Sequence, residues 1–189
     1  MTAIEALSAP RTARLTSQDF LLLANGGAFE NYARAELIEG EIFVVNAQFR
    51  RHAAIRRKLM RQLEDVLAGR SDGLGAIDEC NVEFDGKTMP QPDITLTTAV
   101  EGDGPIPLAS VRLIVEIADT TSGYDLGTKR DLYARYGVPE YWVIDVKGGC
   151  VVQFWSPRAE GYADRREAPL GKSIEATTIP GLVISTAEV

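Results

Sequence analysis

The stretch VRLIVEIADTTSGYDLGTKRDLYARYGVPEYWVID, residues 111–145, decides how this chain folds, because it predicts a strand, a helix and a second strand in succession. The first strand, Val111 to Ile117, is apolar on both faces, which is typical of a central strand covered on both sides. The helix is predicted from about Leu126 to Tyr136, and the second strand from Tyr141 to Asp145. Because a helical crossover joins them, we expect the two strands to be parallel neighbours.

Three charged residues lie where burial makes charge costly. Glu116 lies within the apolar strand, Lys129 shares a helix face with Tyr133, and Asp93 begins a further apolar strand. Buried ionisable groups that cluster concentrate at functional sites. The alternatives are structural: an ion pair of Glu116 with Arg112 or Lys129, a helix pair between Lys129 and Asp125, and a turn or strand-edge position for Asp93.

The bulk composition predicts an ordinary globular protein. The chain has 189 residues, of which 45% are hydrophobic and 25% charged, enough for one core without disulfides. We expect a flexible arm over residues 1–15 and a single domain over residues 16–189. The dispersed Cys80 and Cys150 favour a reduced, cytoplasmic setting, and no apolar run is long enough to cross a membrane.

The remaining elements follow from hydrophobic periodicity and turn residues. A capped short helix is predicted to begin near Thr16, and a hairpin is predicted over residues 35–45. The helix from His52 to Leu67 has apolar residues at helical spacing. Residues 74–84 and 93–97 read as further strands. Gly148 and Gly149 predict a hairpin after the strand that ends at Asp145, and short β segments follow it.

The charge distribution is uneven. A net charge of −7 and a pI near 4.8 weigh against a protein that coats nucleic acid non-specifically. The start of the long helix is nevertheless basic, and its candidates for phosphate contacts are Arg50, Arg51, His52, Arg57 and Lys58. The alternatives are a solvated helix face for the basic residues and a buried structural role for His52. A single histidine excludes a histidine-rich metal cluster.

The chemistry that these residues support best is hydrolysis of a phosphodiester. Mg²⁺ binds through one or two carboxylates together with water and substrate phosphate. Asp93 and Glu116 are the predicted metal ligands, with Glu36 as a third acid. The metal polarises the phosphate and activates water. Lys129 is the candidate catalytic base or electrostatic stabiliser.

Several motifs in fixed order together resemble the large bacterial family of "putative restriction endonucleases" within the PD-(D/E)XK nuclease superfamily. The resemblance implies an α/β (α+β) fold with a restriction-endonuclease-like αβββαβ core, a mixed sheet flanked by helices, and extra β-hairpins. It also implies a Mg²⁺-dependent DNA endonuclease, with Mn²⁺ as a possible substitute. The motifs are ELIEGE (36–41), His52 before a helix, QPDI (91–94), VEIADTT (115–121), YDLGTKRDLYARYGVPEYWVID (124–145) and IPGL (179–182).

By position, Asp93 matches the superfamily's PD aspartate and Glu116 its D/E residue. The superfamily lysine is expected two residues after Glu116, where this chain has Ala118. In this family the lysine is moved to the helix, where Lys129 matches. Glu36 matches the early acid. Two further residues, Asp125 and Tyr133, also match, without an assigned role.

Two other functions compete with the nuclease. The first is a catalytically weak or inactive module on the same scaffold that binds nucleic acid. The second is a dimeric regulatory protein whose exposed aromatics Tyr141, Trp142 or Trp155 mark the dimer surface. A homodimer is also expected for the nuclease, since double-strand cutting often uses two sites.

Overall fold

A six-stranded mixed sheet forms the centre of the computed structural model, which describes residues 12–45, 50–119 and 121–189. The strand order is β10-β9-β8-β7-β5-β3, and only β7 and β8 run parallel in this sheet. Its strands are β3 (Gly75–Asp78), β5 (Ile94–Thr97), β7 (Val111–Ala118), β8 (Glu140–Asp145), β9 (Cys150–Arg158) and β10 (Gly161–Pro169).

The smaller elements attach to this sheet. The long helix α2 and the crossover α3 lie on opposite faces, and three pairs of short strands complete the fold. The remaining bounds are α1 (Ser17–Asn25), β1 (Arg34–Ile38), β2 (Glu41–Val45), α2 (Arg50–Leu67), β4 (Val82–Glu83), β6 (Ile106–Pro107), β11 (Ser173–Glu175) and β12 (Val183–Ser185).

The crossover between β7 and β8 is one continuous helical run with an irregular centre. Here α3 consists of an α-helical turn over Ser122–Tyr124, a π-helical segment over Asp125–Lys129 and an α-helix over Arg130–Arg135. It therefore begins earlier than predicted and is not regular. The predicted parallel pairing of β7 with β8 is confirmed, with Glu116 paired to Val143.

Alternation along the central strands divides the core into two layers. Trp142 and Ile144 pack with Leu59 and Leu63 of α2 on one face of the sheet. Tyr141 and Val143 pack on the other face, together with Leu132 and Tyr133 of α3. The expectation that Tyr141 and Trp142 are exposed is wrong, because β8 is a central strand with both faces covered. Trp155 is half-buried and contacts the Arg166 guanidinium.

The predicted strand over residues 74–84 is broken in the structure. β3 ends at Asp78, and Glu79 has a positive φ of 46°, which bends the chain out of the sheet. The next strand, β4, then pairs with β6 instead. The alternation of Cys80, Val82 and Phe84 is interrupted at the adjacent acids Asp78 and Glu79, which the prediction treated as part of one strand.

The N-terminal elements pack together against one end of the sheet. The hairpin β1–β2 turns at Glu39 and Gly40, as its sequence predicts. The predicted arm includes residues 1–11, which lie outside the described residues. Within the described part, the Leu15 backbone N–H donates to the Gly40 carbonyl at 3.0 Å. None of the helices in the described ranges is long and apolar enough to cross a membrane.

Candidate active site

Strand pairing brings Asp93 and Glu116 together. Ile94 pairs with Val115 in the antiparallel β5–β7 ladder, so the ladder continued by one residue sets Asp93 opposite Glu116. Each of these acids is 1% exposed. The Ile117 backbone N–H donates to Asp93 Oδ2 at 2.7 Å, which fixes the carboxylate against β7.

The π-helical segment delivers Lys129 to these acids. Lys129 Nζ donates to Glu116 Oε1 at 2.8 Å and to Glu36 Oε1 at 3.0 Å, and the lysine is 1% exposed. An extra residue in a helical turn re-aims the side chains beyond it, and such turns recur at functional sites. Lys129 thus reaches the two acids from the helix that follows β7.

Glu36 is contributed by the β1–β2 hairpin. Its Oε1 also accepts from the Gln91 backbone N–H at 3.0 Å. The neighbouring residue Leu37 bridges to Met89 and so anchors the hairpin beside the sheet. Glu36 is 3% exposed, although the hairpin itself is peripheral. The structure therefore brings all four predicted catalytic residues into one buried cluster.

His52 and Tyr133 complete the hydrogen bonding of the two acids. His52 Nε2 lies 3.1 Å from Asp93 Oδ2, and the carboxylate requires this nitrogen to donate. His52 Nδ1 is buried and has no hydrogen-bond partner among the described residues. Tyr133 Oη donates to Glu116 Oε1 at 2.8 Å, which gives the tyrosine a place in the site. Asp125 accepts from the Thr121 hydroxyl at 2.5 Å and only borders the cluster.

Sequence reasoning missed Arg34, which lies in the middle of the acids. One of its terminal nitrogens, Nη1, donates to Asp93 Oδ1 and to the Gln91 carbonyl, each at 3.0 Å. The same nitrogen lies 4.0 Å from Glu116 Oε2. Arg34 and Glu36 are two residues apart on β1 and so share a face. That spacing is the signal from which Arg34 was predictable.

Burial and neighbouring charges move the pKa values of the two central acids in opposite directions. Burial tends to raise the pKa of Asp93, but hydrogen bonding to His52 and attraction by Arg34 outweigh it and bring this pKa to about 2. Burial raises the pKa of Glu116 to about 8, against the attraction of Lys129 and with added repulsion from Asp93. Glu116 is therefore the acid whose charge responds to pH near neutrality.

The buried cations remain charged. Burial alone would lower the pKa of Lys129, but Glu116 and Glu36 attract the ammonium more strongly, so the pKa is raised. The pKa of Arg34 is raised in the same way, since the surrounding carboxylates outweigh its burial. A protonated Lys129 can stabilise negative charge, but it cannot accept a proton. Of the two predicted roles, this favours the electrostatic stabiliser.

The basic residues of α2 divide between two surroundings. His52 contacts the acids, whereas Arg50, Arg51 and Arg57 are exposed near the start of the helix. Lys58 donates to the Glu188 carbonyl at 2.7 Å and is therefore held against the C-terminal segment. The three exposed arginines remain candidate phosphate contacts. The hydrogen bond of Lys58 to the C-terminal segment favours a structural role for this residue.

The donor set suits a hard divalent cation bound by few protein ligands. Within the described ranges, no three His, Cys, Asp or Glu side chains are arranged as a metal cage. Asp93 and Glu116 do offer two buried carboxylates, and Mg²⁺ commonly takes one or two carboxylates with water as the other ligands. The site thus fits Mg²⁺, with these two residues as the ligands that would hold it.

The fold is shared with a solved structure of a bacterial protein. The structure is similar to the crystal structure of a "putative nuclease belonging to DUF820" from Anabaena variabilis, with a TM-score of 0.64 and 20% sequence identity. The likeness covers 98% of this chain and 95% of that chain, and at this identity it shows a shared fold.

Residues 17–187 match the family Uma2, described as "Putative restriction endonuclease", and the chain belongs to that family. Among curated proteins, none matches this chain. The family resemblance and the fold class inferred from the sequence are both confirmed.

Proposed function

We propose that this protein is a Mg²⁺-dependent endonuclease that hydrolyses phosphodiester bonds of DNA. The observation that carries the proposal is the convergence of Asp93, Glu116 and Lys129 from two strands and a π-helical segment. Buried charges are costly unless paired, so a cluster of this kind is more readily explained by chemistry than by stability.

The roles of the residues follow from their contacts. Asp93 and Glu116 are the metal ligands, and the metal when bound supplies Lewis-acid activation of phosphate and water. Lys129 holds a positive charge beside Glu116 and stabilises the negative charge that develops on the phosphoryl oxygens. Glu36 also accepts from the Lys129 ammonium and so holds it in place.

The test is cleavage of plasmid and short duplex DNA by the purified protein with Mg²⁺ or Mn²⁺. We expect cleavage that is abolished by a chelator and reduced at least about 100-fold by Asp93→Asn or Glu116→Gln. Asp145→Asn is the matched control. This acid ends the neighbouring strand β8 and accepts from the Gly148 backbone N–H in the turn that follows, so its amide should leave cleavage unchanged.

A non-catalytic binding module is the second candidate, because the three site acids are already neutralised in part by Arg34 and Lys129. This alternative predicts DNA binding that weakens with salt and survives Glu116→Gln, without cleavage by any variant. If the protein cleaves RNA but not DNA, the proposed phosphodiester hydrolysis stands, and DNA as the proposed substrate is wrong.

A further inference from the structure

The geometry points to Arg34 as a built-in competitor of the divalent cation, which holds Asp93 and Glu116 in the metal-free protein and moves to the substrate phosphate when metal binds. The inference rests on the proposed function, because it concerns the same two acids. It assigns to Arg34 a role in binding that neither the family pattern nor the fold gives.

The first observation is which carboxylate oxygens Arg34 contacts. Asp93 Oδ2 already receives the Ile117 N–H and faces His52. Glu116 Oε1 already receives Lys129 and Tyr133. The oxygens that remain for a cation are Asp93 Oδ1 and Glu116 Oε2.

Both remaining oxygens face the same nitrogen of Arg34, Nη1, at 3.0 and 4.0 Å respectively. A cation that binds both of them therefore meets the guanidinium. The guanidinium and a cation bound to the same two oxygens would be close neighbours, and two positive charges that close repel each other strongly in a buried site. The guanidinium and the metal should consequently compete for the carboxylates of Asp93 and Glu116.

The second observation is that Arg34 is held less completely than Lys129. Its Nε is buried and has no hydrogen-bond partner in the described ranges of the chain. Glu36 Oε1 lies 4.0 Å from that Nε and is already bonded to Lys129. The Arg34 side chain also keeps 12% exposure, against 1% for Lys129, so it has a path toward solvent.

Release of Arg34 has a consequence for substrate binding. A buried guanidinium that loses its carboxylates needs another anion, and arginine binds phosphate in bidentate fashion. A phosphodiester that enters the site supplies that anion. Metal and nucleic acid should then bind cooperatively, and the coupling should depend on Arg34.

The first experiment measures Mn²⁺ binding to the metal-free protein by electron paramagnetic resonance, without nucleic acid. We expect Arg34→Gln to lower the Kd by about tenfold or more, because the competing charge is gone. The control, Arg34→Lys, keeps the charge and should stay within a few-fold of the unaltered protein. An equal or higher Kd for Arg34→Gln would overturn the competition.

Asp93→Asn separates this inference from the proposed function. If Asp93→Asn abolishes Mn²⁺ binding while Arg34→Gln leaves it unchanged, the metal site stands and the role of Arg34 falls. If Asp93→Asn binds Mn²⁺ as well as the unaltered protein does, both the metal site and the role of Arg34 are wrong.

Should Arg34→Gln fail to fold, ¹⁵N resonances of the arginine Nε groups in the unaltered protein give a second measurement. Saturating Mg²⁺ must then shift the Arg34 signal, and an unmoved signal overturns the inference.

The second experiment repeats the Mn²⁺ titration with a short duplex oligonucleotide carrying non-hydrolysable linkages. The duplex should tighten Mn²⁺ binding by about tenfold in the unaltered protein and by much less in Arg34→Gln. Equal tightening in both proteins would refute transfer of the guanidinium to the phosphate.

Discussion

Each charged residue of the site is stabilised by another one. Glu36, Asp93 and Glu116 face Lys129 and Arg34, so two buried cations balance most of the charge of three buried carboxylates. Replacing such a group by an apolar residue of similar size is often neutral or stabilising, whereas removing one partner is costly. The arrangement is therefore poorly suited to stability alone, and metal-dependent chemistry accounts for it better.

Metal binding should depend on pH through Glu116. Its pKa is about 8, and only the ionised carboxylate binds a cation, whereas Asp93, with a pKa of about 2, stays ionised. Mn²⁺ affinity should therefore increase by up to about tenfold per pH unit as pH rises toward 8, and then level off. Calorimetry or paramagnetic resonance between about pH 6 and pH 9 checks this.

Glu116→Gln is the control for that prediction, because an amide does not titrate. Its Mn²⁺ affinity should be lower throughout and flat over the same range. A flat profile for the unaltered protein would mean that Glu116 is ionised at all these pH values or is not a ligand.

Tyr133→Phe tests the hydrogen bond to Glu116 while keeping the aromatic ring. The variant removes one of the two donors to Glu116 Oε1 and leaves Lys129 as the other, so the free energy of unfolding should fall by about 1–3 kcal/mol. Urea denaturation measures the loss. Tyr162→Phe is the comparison, because its hydroxyl donates to the Val138 carbonyl away from the site. Both variants should lose stability, but only Tyr133→Phe should also change Mn²⁺ affinity.

At the level of residues, the sequence predicted those site members whose charge contrasts with an apolar setting. Glu116 and Lys129 were recognisable on that ground. Arg34 lies next to a turn in a mixed sequence, and its burial depends on how the hairpin β1–β2 packs on Asp93. Local sequence carries no record of that long-range contact, and the signal that the sequence does offer, a spacing of two residues from Glu36 on one strand, was not used.

At the level of elements, the N-terminus of α1 is fixed by a capping box. The Thr16 hydroxyl accepts from the Asp19 N–H at 3.2 Å, and the Asp19 carboxylate accepts from the Thr16 N–H at 2.9 Å. Thr16→Ala should lower the free energy of unfolding by about 0.5–2 kcal/mol. Urea denaturation checks the loss, and Thr16→Ser, which keeps the cap, should cost much less. Unchanged stability in Thr16→Ala would show that packing alone holds the helix.

The start of α2 should provide phosphate contacts near the site. Arg50 and Arg51 lie in the first turn, directly before the histidine that contacts Asp93, and a helix N-terminus itself favours anions. Reversing both charges (R50E/R51E) should weaken duplex DNA binding by about tenfold or more. Fluorescence anisotropy measures this.

Arg158→Glu is the control for the α2 variants. Arg158 is exposed where β9 ends, at the opposite end of the sheet from Glu116, and its reversal should leave binding almost unchanged. Equal losses from both changes would indicate a general charge effect and would leave α2 without a specific role.

The positions of helices and strands were predictable where hydrophobic periodicity extended over many residues. They were less predictable where the backbone geometry was irregular. α2, β7 and β8 follow apolar patterns that extend over their whole length. The π-helical segment Asp125–Lys129 was not predictable, because one inserted residue changes the spacing too little to distinguish it from an α-helix. The bend at Glu79 was missed because the adjacent acids Asp78 and Glu79 were treated as part of one strand.

On the scale of the whole molecule, the proposed binding of DNA by a protein with a net charge of −7 requires a small basic area. The exposed basic residues of α2 that were predicted to contact phosphate are Arg50, Arg51 and Arg57, so about three phosphates are expected to be neutralised. Each released counterion contributes about −0.9 to the slope of log K against log salt concentration, which gives a slope of about −3. Titrations of an oligonucleotide at several salt concentrations, without divalent metal, measure this slope.

In R50E/R51E the slope should flatten to about −1, because Arg57 alone remains. A slope as steep as about −6 would mean that basic residues elsewhere dominate binding, and the assignment of α2 as the DNA-binding face would then be wrong.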